Sequence, residues 1–305
     1  FAAVPRSRVQ ERAKERVEPN AQTLLETFPD SGRTGYLLRR TFDEVTQVVD
    51  ELYDELSVSA FRPKFCELEF SARGALPGVA FAGERCRGVV EGFVDRVDVW
   101  QSGGRPYVRV VDYKTGKKSF DYTNVLHGRG LQMLLYLFAL VRQGGHLLHG
   151  EPLPAGVLYF PARIERVSVR DRLAQAEIEK ERRKQLRRSG VLLNSDPVLE
   201  AMEPCGGSPR FLPYTLDKEG RKTGDLASFA QLAQLERFVF QTVAALGDEL
   251  ADGRIDPDPC IRDAKDSACA FCPYSEICAG HEQPRWLKKI TAEEFWQTLE
   301  RREHG

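Results

Sequence analysis

The sequence predicts an α/β protein built around a mixed β-sheet, and three observations carry that prediction. Residues 87–100 alternate apolar and polar positions (Val89, Val90, Phe93, Val94, Val97, Val99), turn at Gly103 and Gly104, and return through the apolar run Tyr107 to Tyr113. A helix from about Asn124 to Arg142 follows, with Leu131, Leu134, Leu135, Leu137, Phe138, Leu140 and Val141 around most of its circumference. Then comes AGVLYF at 155–160, a wholly apolar strand between Pro154 and Pro161. The helix is the kind of crossover that lets this last strand lie parallel to an earlier one.

The remaining elements fit around that core. Residues 1–30 are charged and irregular, either a frayed helix or the torn edge of a missing region. From Leu37 to Leu56, Leu37, Leu38, Phe42, Val45, Val48, Val49, Leu52 and Leu56 recur at helical spacing, and Pro63 stops the helix. Short strands are expected at 65–70 and 79–81, with a turn over 74–77 between them. Residues 163–190 form a dense charge run ending in RRKQLRR at 182–188, either a solvated helix face or an arm for phosphates. Residues 203–225 read as loop, and Leu226 to Leu250 as an amphipathic helix. A last helix spans about 292–301, with Thr291 as N-cap and Glu294 completing a capping box.

A chain of 305 residues can bury a substantial core, as one large domain or a domain with an appendage. Its formal charge of −1 means that any nucleic-acid contact must come from local patches. No apolar run approaches the roughly 18 residues of a membrane span, and the N-terminus does not resemble a signal peptide, so a cytoplasmic protein is expected. The first residue is Phe, which fits a piece of a longer polypeptide. The phosphate-loop pattern GxxxxGK[ST] is absent, so ATP hydrolysis is not expected of these residues.

The stretch VVDYKTGKKSF at 110–120 puts Asp112 and Lys114 two apart at the end of a buried strand, hence on one face, with Tyr113 on the other. The plainer reading is a surface ion pair. The preceding strand carries Asp95 and Asp98, in an otherwise apolar run where Asp is uncommon. Asp98, near the hairpin end, is expected to be solvated or paired with Arg96 or Arg105. Asp95 is deeper, and folding the hairpin would let it share a site with Asp112. Two carboxylates with neighbouring carbonyl oxygens suit a hard cation such as Mg²⁺. Such an ion polarises a phosphoryl oxygen and acidifies bound water. Lys114 would place that water or offset developing charge. Gln132 and Tyr136, four apart on the apolar helix, either satisfy each other's hydrogen bonds or line the site.

Seven cysteines in such a chain argue against a disulfide framework, and four of them crowd into 260–278. CAFCPYSEIC at 269–278 is a C-x2-C-x5-C pattern, close enough to bind a metal or cluster through Cys269, Cys272 and Cys278. Both zinc and iron–sulfur sites want four ligands, and Cys260 or His281 could complete the set.

GFVDRVD at 92–98, VVDYKTG at 110–116 and GRGLQMLLY at 128–136 together resemble the PD-(D/E)XK nucleases of the RecB/AddB type, in the order Asp, Asp-x-Lys, Gln-x-x-x-Tyr. The resemblance runs from about residue 35 to 285 and includes both constellations in the right order. It implies a restriction-endonuclease-like α/β core, a mixed central sheet flanked by helices, at 35–162. An N-terminal edge at 1–34, a mostly helical extension at 163–252 and a cysteine segment with a C-terminal helix at 253–305 complete the chain. It implies that Asp95, Asp112 and the Tyr113 carbonyl bind Mg²⁺, that Lys114 serves the attacking water, and that Gln132 and Tyr136 complete the site. Glu67, within 61–77, falls at a position such proteins keep acidic, with a structural or DNA-facing role as open as a metal-binding one.

By the same likeness Cys269, Cys272 and Cys278 join a distant upstream cysteine around a structural [4Fe–4S] cluster, with Cys260 as fallback. The further metal-binding histidine of such nucleases is expected before residue 1, so these residues alone would bind metal weakly or lack activity. The implied function is metal-dependent cleavage of one DNA strand, leaving a 5′-phosphate, beside an AddA-like helicase–nuclease subunit in double-strand-break repair. A stand-alone CRISPR-associated nuclease and a non-catalytic DNA-binding iron–sulfur scaffold are the alternatives.

Overall fold

A computed structural model describes residues 4–27, 32–116, 119–163, 175–262, 267–278 and 284–304. The charged N-terminal stretch is a helix, α1 (Arg6–Thr27), laid against α2 (Gly32–Val58). Of the apolar stripe of α2, Leu56 is buried and Val48 and Leu52 pack half-buried on the core, while Leu37 is exposed; a short break after Val58 leads into β1 (Arg62–Phe70). The expected strand over 87–100 is two strands. Strand β3 (Arg87–Val90) pairs with β2 (Val79–Ala82), while β4 (Gly92–Ser102) pairs with β1 on one side and β5 (Arg105–Lys114) on the other. The division falls at Glu91 and Gly92, where the chain leaves the small hairpin for the main sheet.

The expected long helix is also divided, into α3 (Tyr122–Leu126) and α4 (Gln132–Gln143). Between them Gly128 (φ 73°) and Gly130 (φ 68°) adopt left-handed backbone, which glycine takes without steric penalty and which ends a helix. Every residue of α4 from Met133 to Leu140 is buried, against β5, β6 and a later helix. After the one-turn α5 (Gly145–Leu148), β6 (Leu153–Pro161) returns parallel to β5, as the crossover argument expects.

Residues 164–174 of the charge run lie outside the described residues. The rest forms α6 (Gln175–Gln185) and leads into β7 (Ser189–Leu193) and then α7 (Asp196–Met202), neither of which is apparent from the sequence pattern. The stretch read as loop contains a hairpin, β8 (Tyr214–Leu216) with β9 (Lys222–Gly224), and leads into β10 (Leu226–Ala227). Helix α8 (Phe229–Ala251) starts at a capping box made by Ser228 and Gln231. The chain closes with β11 (Cys260–Ile261), β12 (Arg285–Trp286) and α9 (Ala292–His304). The Thr291–Glu294 box forms as expected, each backbone N–H donating to the other's side chain.

The main sheet has six strands in the order β1-β4-β5-β6-β7-β10. Its β5–β6 and β7–β10 pairs are parallel and the others antiparallel, so it is a mixed sheet flanked by helices. Among the described residues no helix is long and apolar enough to cross a membrane.

One carboxylate fixes the outer hairpin. Asp248 on α8 accepts from the backbone N–H groups of Glu84, Arg85 and Cys86 at 2.8, 2.9 and 3.0 Å. The bonds from Arg85 and Glu84 hold its carboxyl below the usual carboxylate range, against a small opposing effect of desolvation. Asp248→Ala is expected to accelerate amide exchange at residues 84–86 while leaving the central strands protected. In the wild type the protection factors of the same amides fall as pH drops below the ordinary carboxylate range, because a lowered folded pKa contributes stability only while the group is ionised.

Candidate active site

The hairpin does bring Asp95 and Asp112 to one place. The β4–β5 ladder pairs residues from Ser102↔Arg105 to Arg96↔Val111, so Asp95 and Asp112 are the next positions along it. There a side chain takes over from the ladder: Asp95 Oδ2 accepts from the Tyr113 N–H at 2.8 Å. The β1–β4 register runs Cys66↔Arg96 and then Leu68↔Val94, passing over Glu67 and Asp95. Glu67 stands opposite Asp95, exposed and with left-handed backbone (φ 51°), a conformation unusual for a residue with a Cβ. Three carboxylates therefore occupy neighbouring positions on three adjacent strands.

Asp112 and Lys114 form an ion pair, Nζ to Oδ2 at 2.5 Å, as the plainer reading has it. The pair is not on open surface, because Asp112 is only 8% exposed. Its strand partner on β6 is Tyr159, whose hydroxyl is pushed up to about 12 by burial and then by the Asp112 charge. The Lys114 carbonyl accepts from the Ala162 N–H at 2.8 Å, fixing the strand end.

Gln132 and Tyr136 satisfy each other at the edge of this arrangement, Gln132 Nε2 donating to Tyr136 Oη at 3.4 Å. Gln132 is exposed, while Tyr136 is buried and stacked on Phe70 at 5.1 Å between ring centroids. Tyr136 reaches the start of β4: a Cβ at Gly92 would lie 2.0 Å from its Oη. Gly92→Ala is expected to cost about 1–3 kcal/mol, the range for overpacking. Replacing Tyr136 by Phe in the same chain should restore part of the thermal midpoint, because the next contact is then Cζ at 3.2 Å.

On the other sheet face lies a network of charged residues to which the sequence motifs assign no role. Of the alternatives for Asp98, the pairing with Arg96 forms, while solvation and pairing with Arg105 do not. Asp98 is fully buried, bonded to Arg96 Nε at 2.9 Å and to Arg109 Nε at 2.8 Å. Glu55 of α2 meets Arg109 at 2.8 Å and Arg188 at 2.6 Å, and Arg188 also meets Glu51 at 3.2 Å. Arg188 belongs to the charge run expected at the surface, yet it is 2% exposed and lies 4.1 Å over the Phe160 ring. The network touches the site through Tyr113, whose Oη accepts from Arg96 Nη1 at 2.6 Å. Tyr113 is thus held at both ends, by Asp95 at its amide and by Arg96 at its hydroxyl. The signal was present in the sequence: Arg109 sits between Val108 and Val110, and Glu51 and Glu55 interrupt the apolar stripe of α2 four residues apart.

The oxygens of Asp95 and Asp112 with the Tyr113 carbonyl are hard donors, the chemistry that a divalent cation such as Mg²⁺ takes. Cys269, Cys272 and Cys278 are half-buried on a tight turn at and after the 3₁₀ segment Ala268–Phe271, where Cys272 N–H donates to the Cys269 carbonyl at 3.2 Å. Cys260 lies on β11, and a bridge between Ile261 and Ser267 brings that strand beside the turn. Thiol chemistry fits a metal or cluster, although among the described residues no group of three or more His, Cys, Asp or Glu side chains is already gathered to hold a metal ion. His281 lies outside the described residues.

The mixed six-stranded sheet flanked by helices is a PD-(D/E)XK nuclease fold, and the chain belongs to the PD-(D/E)XK nuclease superfamily, which it matches over residues 2–279. Its relatives include a component of the ATP-dependent helicase/deoxyribonuclease of Moorella thermoacetica, 35% identical over 258 residues that make up 83% of this chain and 22% of that protein. The corresponding protein of Oceanobacillus iheyensis is 27% identical over 91% of this chain and 24% of its own length. That of a Thermoanaerobacter species is 28% identical over 92% and 25%. The chain spans about a quarter of the length of these relatives.

Proposed function

We propose that this chain is the metal-dependent nuclease part of an AddB-type helicase–deoxyribonuclease subunit, cutting one strand of DNA during double-strand-break repair and recombination. The observation that carries the reading is the adjacency of Asp95 and Asp112 where the β4–β5 ladder ends, with Lys114 paired to Asp112. Asp95, Asp112 and the Tyr113 carbonyl would hold Mg²⁺, with Glu67 facing the same end of the sheet. The ion supplies Lewis acidity to the phosphoryl group and lowers the pKa of water. Lys114 positions the attacking water and offsets charge that develops on phosphate. Water oxygen bonds to phosphorus as the bond to the 3′ oxygen breaks, leaving a 5′-phosphate and a 3′-hydroxyl. Gln132, exposed at the start of α4 and bonded to Tyr136, borders the strand being cut.

The C-x2-C-x5-C spacing supports a structural [4Fe–4S] cluster on Cys269, Cys272 and Cys278, with the fourth thiolate from an upstream cysteine or from Cys260. We place the protein in the cytoplasm with its DNA, beside an AddA-like helicase–nuclease partner, because the relatives are named as subunits of a helicase/deoxyribonuclease.

The test uses the full-length protein with its helicase partner and an end-labelled single strand. Because the partner is itself a nuclease, the complex carrying Asp112→Ala is the control: expected are Mg²⁺-dependent cuts with 5′-phosphate ends that the wild type makes and the variant does not, and none with EDTA. DNA binding without cleavage under any divalent ion would favour a scaffold instead. For the cysteines, broad absorbance near about 400 nm with bound iron is expected, and colourless protein with bound zinc would count against the cluster.

A further inference from the structure

Residues 285–290, RWLKKI, run extended between two fixed points. At one end the Arg285 N–H donates to the Pro259 carbonyl at 3.0 Å and the Leu287 N–H to the Ile261 carbonyl at 2.8 Å. At the other, the Ile290 N–H donates to Thr123 Oγ1 of α3 at 3.0 Å. Leu287 is buried and anchors the run, while Arg285, Trp286, Lys288 and Lys289 are exposed. One apolar side chain in water means little by itself. Trp286 differs because three cations on the same fixed backbone frame it at 66% exposure, whereas Trp296 is buried at 7%.

Through Thr123 the run abuts α3, from which the chain leads on to the candidate active site. Helix α3 ends at His127, and the loop from there through Arg129 leads to Gln132. The His127 imidazole is held below its ordinary range by partial burial and then by the charges of Arg285, Arg302 and Arg129. Among the described residues Arg285 pairs with Asp258 at 3.3 Å, a solvent-exposed pair of the kind that contributes little and that a phosphate can replace.

We propose that the β12 run and the α3–α4 loop form a binding track for single-stranded DNA, with a base stacked on Trp286 and phosphates held by Arg285, Lys288, Lys289 and Arg129. The stacking and the spaced cations together recognise a single strand without regard to sequence, since every base has an aromatic face. The direction of the track, towards Asp95 and Asp112, rests on the nuclease reading, whereas the binding itself does not.

The test uses the full-length protein with oligothymidylate and EDTA, so that no strand is cut. Oligothymidylate should quench a component of tryptophan emission that is missing from Trp286→Ala, and that variant should bind roughly tenfold more weakly, within the range for loss of one stacked base. Lys288→Gln with Lys289→Gln should reduce the slope of log affinity against log salt by about 1.4, at roughly 0.7 per phosphate contact on a single strand. Trp286 is exposed, so its replacement leaves the fold intact, and an unchanged thermal midpoint checks this. Affinity and salt slope equal to wild type in these variants would overturn the proposal, as would a wild-type protein that does not bind oligothymidylate. Trp286-dependent binding in a protein that never cleaves would instead count against the nuclease reading alone.

Discussion

Asp112→Asn in the full-length protein is expected to reduce Mg²⁺-dependent cleavage by more than about a hundredfold, the upper end of what even outer-shell changes at metal sites cost. The substitution keeps the shape of the side chain and removes its charge. Asparagine is a poor ligand for a hard cation, and Lys114 loses the partner that holds its ammonium at 2.5 Å. Lys114→Met separates the two effects. It leaves both carboxylates and should lower turnover by about a hundredfold or more, the order for losing one preorganised charge-stabilising donor, while metal affinity is kept. Loss of metal affinity in the first variant and retention in the second is the pattern to be measured, by paired cleavage and metal titrations.

Glu55→Ala is expected to cost about 3–5 kcal/mol of stability, the order for removing one partner of a buried ion pair. Glu55 is 1% exposed and bonded to Arg109 and Arg188, with Arg96 at 3.8 Å. Its removal leaves three buried guanidiniums short of a counter-charge. Denaturant unfolding of the full chain measures the loss. The same network sets an acid limit. Burial opposes the Glu55 charge, but Arg188, Arg109 and Arg96 outweigh it and bring the carboxyl down from 4.5 to about 2. A depressed folded pKa contributes stability that is fully present above the unfolded value and is lost as pH falls through the folded one. Wild-type stability should therefore decline between about pH 4.5 and pH 2, and Glu55→Ala should show a flatter profile there.

Much of the core was legible because its signals are local. The glycine turn, the apolar run at 107–113 and the apolar run at 155–160 each belong to one element and formed where expected, whereas the alternation read over 87–100 proved to span two strands that part at Glu91. Asp95 and Asp112 were legible as neighbours because a two-residue turn leaves little freedom of register. The division of the long helix was harder to see. Apolar periodicity continues through residues 124–142, and only the left-handed backbone at Gly128 and Gly130 interrupts it. The buried network was missed for a different reason. Arg188 and Glu55 are 133 residues apart, and a basic run such as RRKQLRR gives no sign that one of its members turns inward. The pairing of Asp98 with Arg109 likewise depends on α2 closing that face of the sheet.

The central claim is that Asp95 and Asp112 form one divalent-cation site. It is tested most directly by titrating Mn²⁺, as a spectroscopic substitute for Mg²⁺, into the full-length protein and following its paramagnetic signal as the ion is bound. Expected is a site in the wild type whose affinity falls by at least about tenfold in both Asp95→Asn and Asp112→Asn, with the fold unchanged by circular dichroism. Equal Mn²⁺ affinity in the wild type and both variants would contradict it.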